Sequence, residues 1–126
     1  MRHRMPDTRK SITHKAVIRT DPPTKFFFTV GLYKNGQPGE LYVTMNDTSS
    51  DLRGWLNVWA ISVSMNLQSE VPLAKLVEKF AYQQFDPQGL TDNPDIRVAR
   101  SIPDYIIRWM ESKFGKTEAF EIEGIR

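Results

Sequence analysis

An α+β domain is the fold class this sequence predicts, an antiparallel sheet of three to four strands packed on one face by two or three helices. Three observations carry that prediction. Residues 11–45 alternate apolar and polar side chains in the manner of strands and are punctuated by turn residues. From residue 52 onward the apolar positions recur every three or four residues, the spacing of one helix face. The two patterns are segregated along the chain, which disfavours a parallel sheet with interleaved helices.

The strands come first. SITHKAVIR, 11–19, alternates well enough to be half buried, and DPPTK then connects it to KFFFTVGLY. That segment is rich in aromatic and β-branched side chains, which suit a pleated, packed surface. In KNGQPGE, Asn35 and Gly36 offer the positive φ of a tight hairpin turn. ELYVTM is the returning strand, with Leu41 and Val43 on one face and Tyr42 and Thr44 on the other.

The helices follow the polar loop NDTSSD. Ser50 or Asp51 can cap a helix in which Leu52, Trp55, Leu56, Trp59, Val63 and Leu67 form an apolar face, widened by Ile61 and Met65. A helix apolar over more than one stripe is expected to be the most buried element, with Trp55 and Trp59 in the core. Pro72 suits a first turn, and Leu73, Leu76, Val77 and Phe80 are the inner stripe of a second helix. A third begins with Asn93 as N-cap and Pro94 at the first position, and runs to about Phe114. Pro103 interrupts it, so a kink is expected there, or a restart through the capping box Ser101-Ile-Pro-Asp104. The ends complete the organisation: a flexible basic arm over 1–10, a single α+β domain over 11–114, and a tail over 115–126 in which Phe120 and Ile122 alternate as in a short strand.

Composition narrows the function. At 126 residues the chain is one domain, and a net charge of +2 is too small for a protein devoted to gripping long nucleic acid. With no cysteine there is no thiolate nucleophile, disulfide or thiolate metal site, and two isolated histidines, His3 and His14, do not make a metal centre. No apolar run is long enough to span a bilayer, so a cytoplasmic protein without a membrane partner is expected. Neither a phosphate-binding glycine loop nor a nucleophile elbow occurs, and no catalytic constellation or cofactor motif is evident; the chain is expected not to be an enzyme. Three tryptophans, an apolar helix and an aromatic strand exceed what one small domain covers, which predicts a homo-oligomer burying at least about 1,000 Å² per interface.

One segment concentrates ligand-binding chemistry. FDPQGLTDNPDIRVARSIPDYIIR, 85–108, joins an aromatic, a turn-rich loop, a helix start and three arginines. Backbone N–H groups at a helix start and guanidinium forks are what an anion, phosphate above all, requires. The candidate ligand set is Phe85 for stacking, Asn93 for a polar edge, and Arg97, Arg100 and Arg108 for charge; His14, Lys15 and Arg19 make a cationic strand end that could join it. Each has a plainer reading too. Arginines on a helix face are commonly solvated or ion-paired, Asn93 serves as a cap, Phe85 as a loop anchor, and a lone strand histidine as a structural residue.

SITHK at 11–15, TVGLYKNGQPGELYVTM at 29–45, NLQSEVPLAKLVEKF at 66–80 and FDPQGLTDNPDIRVARSIPDYIIRWM at 85–110 resemble the C-terminal domain of long cobalamin-dependent ribonucleotide reductases, whose cysteine-rich segment is named for a Thr-Ser-Cys-Pro-Asp motif. The resemblance covers roughly residues 6 to 114 and implies that fold and an affinity for nucleotides. The departure is sharp: no catalytic barrel, no cobalamin-binding body and no cysteine. Reductase chemistry needs a thiyl radical and a reducing dithiol, so this chain by itself is not expected to reduce a ribonucleotide. Three functions are compatible. The first expectation is a non-catalytic binder of a nucleotide-like small molecule, a phage-type sponge sequestering a cyclic or ADP-ribose-like signal from bacterial defence. The alternatives are an accessory or regulatory subunit of a ribonucleotide reductase, and a structural oligomerisation module.

Overall fold

A computed structural model describes residues 2–115 of the chain. Three strands, β1 (Ser11–Ile18), β2 (Thr24–Leu32) and β3 (Pro38–Thr44), form an antiparallel sheet in the order β1-β2-β3. Helices α1 (Ser50–Gln68) and α2 (Leu73–Phe80) follow, then a two-stranded ribbon of β4 (Gly89–Leu90) and β5 (Val98–Ala99), and finally helix α3 (Ile102–Phe114). The α+β class is thus what the chain adopts. Phe120 and Ile122 lie outside the described residues.

Period-two alternation decides the sheet's two faces. The register aligns His14 with Phe28 and Phe28 with Val43, and places Ile12 beside Val30 and Leu41. These residues, with Ala16, Ile18 and Phe26, turn inward against the helices. At the hairpin Gly36 adopts φ +86°, Tyr33 and Gln37 pair through Tyr33 N–H, and the Asn35 carboxamide accepts from Gln37 N–H at 3.0 Å. Gly31 answers to a different need: a Cβ there would collide with the Glu40 side chain, which crosses over it from β3.

Two helix expectations change. α3, not α1, is the most buried element: Ile102, Tyr105, Ile106, Ile107, Trp109 and Met110 all lie in the core. α1 buries one face only, through Leu56, Trp59, Ala60, Val63 and Leu67, while Trp55 is 69% exposed. The width of its apolar surface reflects an outer stripe as well as an inner one.

No helix starts at Asn93. Its side chain instead accepts Asp95 N–H at 2.9 Å, Thr91 Oγ1 accepts Asn93 N–H at 3.1 Å and donates to Ile96 O, and Thr91 N–H reaches Arg97 O at 2.9 Å. These local bonds offer the backbone an alternative to the helix and close the β4–β5 ribbon. Ile96 and Ala99 still reach the core, but from the ribbon. The ribbon extends the edge of β1, through the Ile18–Thr91 bridge and Arg19 N–H to Leu90 O at 2.7 Å. The helix starts instead at the second capping signal: Ser101 Oγ accepts Asp104 N–H at 3.1 Å, and Pro103 sits in the first turn where no N–H is needed.

The segment before β1, expected as a loose basic arm, lies along the body as a strap. His3 N–H donates to Gln68 O at 2.6 Å, Tyr33 Oη donates to His3 O, and Arg2 Nε donates to Gln68 Oε1 at 2.8 Å. Arg9 forks onto the Glu40 carboxylate, with one arm at 3.0 Å.

Candidate functional site

Three arrangements of polar side chains stand out, and the arginine-rich segment is the first. Its centre is Asp104, fully buried at the start of α3. The carboxylate accepts Tyr82 N–H at 2.6 Å and Arg100 N–H at 2.8 Å. It also takes Arg108 Nε at 2.9 Å and Arg108 Nη2 at 2.8 Å. Arg108 donates further to Val98 O and lies over the Tyr82 ring, 4.8 Å from its centroid. The Arg108 guanidinium is therefore neutralised and coordinated within the fold. Phe85, Arg97 and Arg100 are exposed. Backbone bonds hold the loop in place, with Phe85 N–H on Arg100 O at 3.0 Å. Of the five residues, Asn93 lines the cleft between β1 and α3, and Arg108 is committed to Asp104. Arg108 ties α3 to the ribbon and to the turn after α2.

The second arrangement gathers His14, Lys15 and Asn93 in a cleft of about 690 Å³ between β1, the ribbon turn and α3. Asn93 Nδ2 donates to Tyr105 Oη at 3.1 Å, so the phenol proton is free to point at His14 Nε2, 2.9 Å away. That chain requires His14 to be neutral with its proton on Nδ1. Burial, with a smaller contribution from the Lys113 ammonium, lowers its pKa below the usual imidazole value, while burial raises that of the Tyr105 phenol. The His14 ring packs against Phe28, Tyr105 and Trp109 at 5.2–5.9 Å. Arg19 stays outside, paired with Asp92 at 2.6 Å on the surface. Tyr105, Trp109 and Lys113 complete the cleft and were not singled out from sequence. They look like ordinary helix residues until the pairing of β1 and β2 brings His14 over α3.

A pH dependence follows from this geometry. Because the folded His14 pKa lies below the unfolded one, of about 6.5, the unfolded chain takes up the proton first. The stabilising neutral state is intact above the unfolded value. Stability is lost as pH falls through the window between the two pKa values, and no further below the folded one. Urea unfolding across this range is expected to show a slope that His14→Gln flattens. Equal slopes in both proteins would show that His14 is not the group responsible.

The third arrangement is a groove of about 490 Å³ between the strap, β3 and α1, lined by Arg2, Arg4 and Arg9 on one wall and Ile61, Ser64 and Met65 on the other. Glu40 crosses its floor, paired with Arg9 and accepting Tyr42 Oη at 2.8 Å, a bond that raises the Tyr42 phenol pKa. Ser64 Oγ accepts Leu41 N–H at 2.8 Å and so closes one position on the free edge of β3. Beside the groove α1 presents Trp55, Val58, Ile61 and Met65 to solvent. Among the described residues, no group of three or more histidine or acidic side chains stands where it could hold a metal ion, and no helix is long and apolar enough to cross a membrane.

The TSCPD domain family matches residues 1–114. Among curated proteins, the vitamin B12-dependent ribonucleotide reductase of Rhodopirellula baltica is 42% identical over 113 residues, covering 90% of this chain and 11% of that protein. The enzyme of Bradyrhizobium diazoefficiens is 39% identical over 108 residues, 85% of this chain and 8% of that protein. That of Streptantibioticus cattleyicolor is 36% identical over 125 residues, 99% of this chain and 20% of that protein. The chain thus spans between 8% and 20% of the length of these relatives. No solved structure matches. These matches bear out the resemblance read from the hairpin and the Phe85–Met110 block, and they correct the first functional expectation. The relatives are reductases and nothing among them is a nucleotide sponge, so the reductase-associated alternative fits better.

Proposed function

This chain belongs to the TSCPD domain family, and from that premise we propose that it serves ribonucleotide reduction as a non-catalytic accessory or regulatory element of a vitamin B12-dependent ribonucleotide reductase. The observation that carries the proposal is that reductases of several bacteria contain a segment 36–42% identical to 85–99% of this chain. A match over nearly the whole chain supports a shared fold. The sequence has no cysteine, so the thiol chemistry of reduction falls to the partner. What this domain contributes is a rigid body with its buried Asp104–Arg108 pair, and faces on which a larger protein can rest. The same reading makes it a cytoplasmic protein.

The test uses the purified chain and the Rhodopirellula baltica reductase, both intact and with the matching 113-residue segment deleted. Sedimentation is expected to show association with the deleted enzyme, tighter than with the intact one, whose own segment already occupies the site. Addition of the chain is expected to change the deleted enzyme's rate of ribonucleotide reduction. Absence of association together with an unchanged rate would overturn the reading.

A further inference from the structure

We infer that the strap–β3–α1 groove and the outer stripe of α1 together form a docking surface for an acidic amphipathic segment of the reductase. The apolar half of the argument is the stripe. Trp55, Val58, Ile61 and Met65 are 69%, 65%, 51% and 54% exposed and fall at spacings of three and four residues, along one side of the helix. From Gly54 to Ser69 the chain contains no charged residue, although much of this stretch faces solvent. A solvated helix face normally carries charges; a run of large apolar side chains in their place marks an interaction surface. Tyr42, 54% exposed on the outer face of β3, extends the apolar area towards the groove.

Charge selects the partner. Ile61 and Met65 belong both to the stripe and to the groove wall, so the apolar surface runs directly into the arginine wall. Glu40 is the one carboxylate among the groove-lining residues, and its charge is already matched by Arg9 and its oxygens shared with Tyr42. Arg2 spends its Nε on the Gln68 carboxamide, and Arg4 is exposed; neither is ion-paired among the described residues. Among the described residues the rim therefore carries two positive charges without an ion-pair partner, next to an uncharged apolar stripe. A helix with leucine-like residues on one side and carboxylates on the flank facing the strap would satisfy both. A basic segment would meet the arginines unfavourably, and a second copy of the chain would bring its own arginines to the same rim. The stripe from Trp55 to Met65 is about 15 Å long, which suits three turns of a partner helix.

Assigning that segment to the reductase rests on the function proposed above; the character of the surface does not. Two synthetic helical peptides separate the two questions, one built from leucine and glutamate and the other with lysine in place of every glutamate. Trp55 is the solvent-exposed tryptophan, Trp59 and Trp109 being 6% and 4% exposed, so fluorescence quenching by acrylamide reports on its cover. The acidic peptide is expected to bind, to shield Trp55 and to weaken as salt rises, while the lysine peptide does neither. In calorimetry Trp55→Ala is expected to weaken binding at least about tenfold and Arg4→Glu about fivefold. Both positions are exposed, so both variants are expected to keep the wild-type melting temperature. Equal binding of the two peptides, binding of neither, or a dimer mass in light scattering with Trp55 already shielded would each overturn the inference. If the acidic peptide binds while the segment-deleted reductase does not, the surface stands and its assignment to the reductase falls.

Discussion

Asp104→Ala is expected to cost about 3–5 kcal/mol of unfolding free energy, measured by urea denaturation, and to lower Tm by roughly 10–20 °C. The size follows from what one carboxylate does. It is fully buried, it accepts two backbone N–H groups from different turns, and it carries the charge opposite Arg108. Deletion leaves two donors without acceptors and an Arg108 side chain that is only 17% exposed without its counter-charge. Arg108→Ala is expected to cost less, because the carboxylate keeps the Tyr82 and Arg100 N–H groups. The order of the two variants distinguishes an anchoring role for Asp104 from a simple ion pair. If Asp104→Ala costs under about 1 kcal/mol, the anchoring role is wrong.

The second large effect is expected at Tyr105. Its ring is 1% exposed and meets Phe26 edge-on at 5.6 Å, Phe28 at 6.3 Å and His14 at 5.9 Å. Tyr105→Ala removes this aromatic body from the junction of sheet and α3, at a cost of about 3–5 kcal/mol from the cavity and the lost burial. Tyr105→Phe keeps the ring and deletes only the hydroxyl between Asn93 and His14. That change is expected to cost about 1–2 kcal/mol and to alter the pH slope carried by His14. Near-UV circular dichroism should be lost earlier in urea for the alanine variant and be close to wild type for the phenylalanine one. Similar losses for both would mean that the hydroxyl, not the ring, holds the junction.

Much of the fold was legible because its causes are local. Alternation in 11–45 and the glycine at 36 predict a three-stranded antiparallel meander, which the structure shows; the register is set by the pairing itself. The apolar spacing after residue 52 predicts α1 and α2, and the Ser101 box predicts the start of α3. The family resemblance was legible from the hairpin and the Phe85–Met110 block for a related reason: turn glycines, caps and core residues recur wherever the same packing must be satisfied.

What the sequence could not determine are the outcomes of competition between near-equal local choices. Asn93-Pro-Asp reads as a helix start, and the bonds from Thr91 to Ile96 and Arg97 fold it into a turn instead. Arg108 reads equally as a phosphate ligand and as an ion-pair partner. Asp104 lies four residues before it, but only the burial of that carboxylate under the Tyr82 turn commits the arginine to it. Apolar periodicity likewise marked Trp55 and Trp59 alike, and in the fold Trp59 packs edge-on against Phe80 of α2 while Trp55 stays in solvent. Sequence alone determined which residues prefer strand, helix and turn, since those preferences belong to each residue and its neighbours in the chain. Which polar groups lose water, and which apolar faces stay exposed for a partner, only the tertiary structure decided, because desolvation depends on what distant segments bring to the same place.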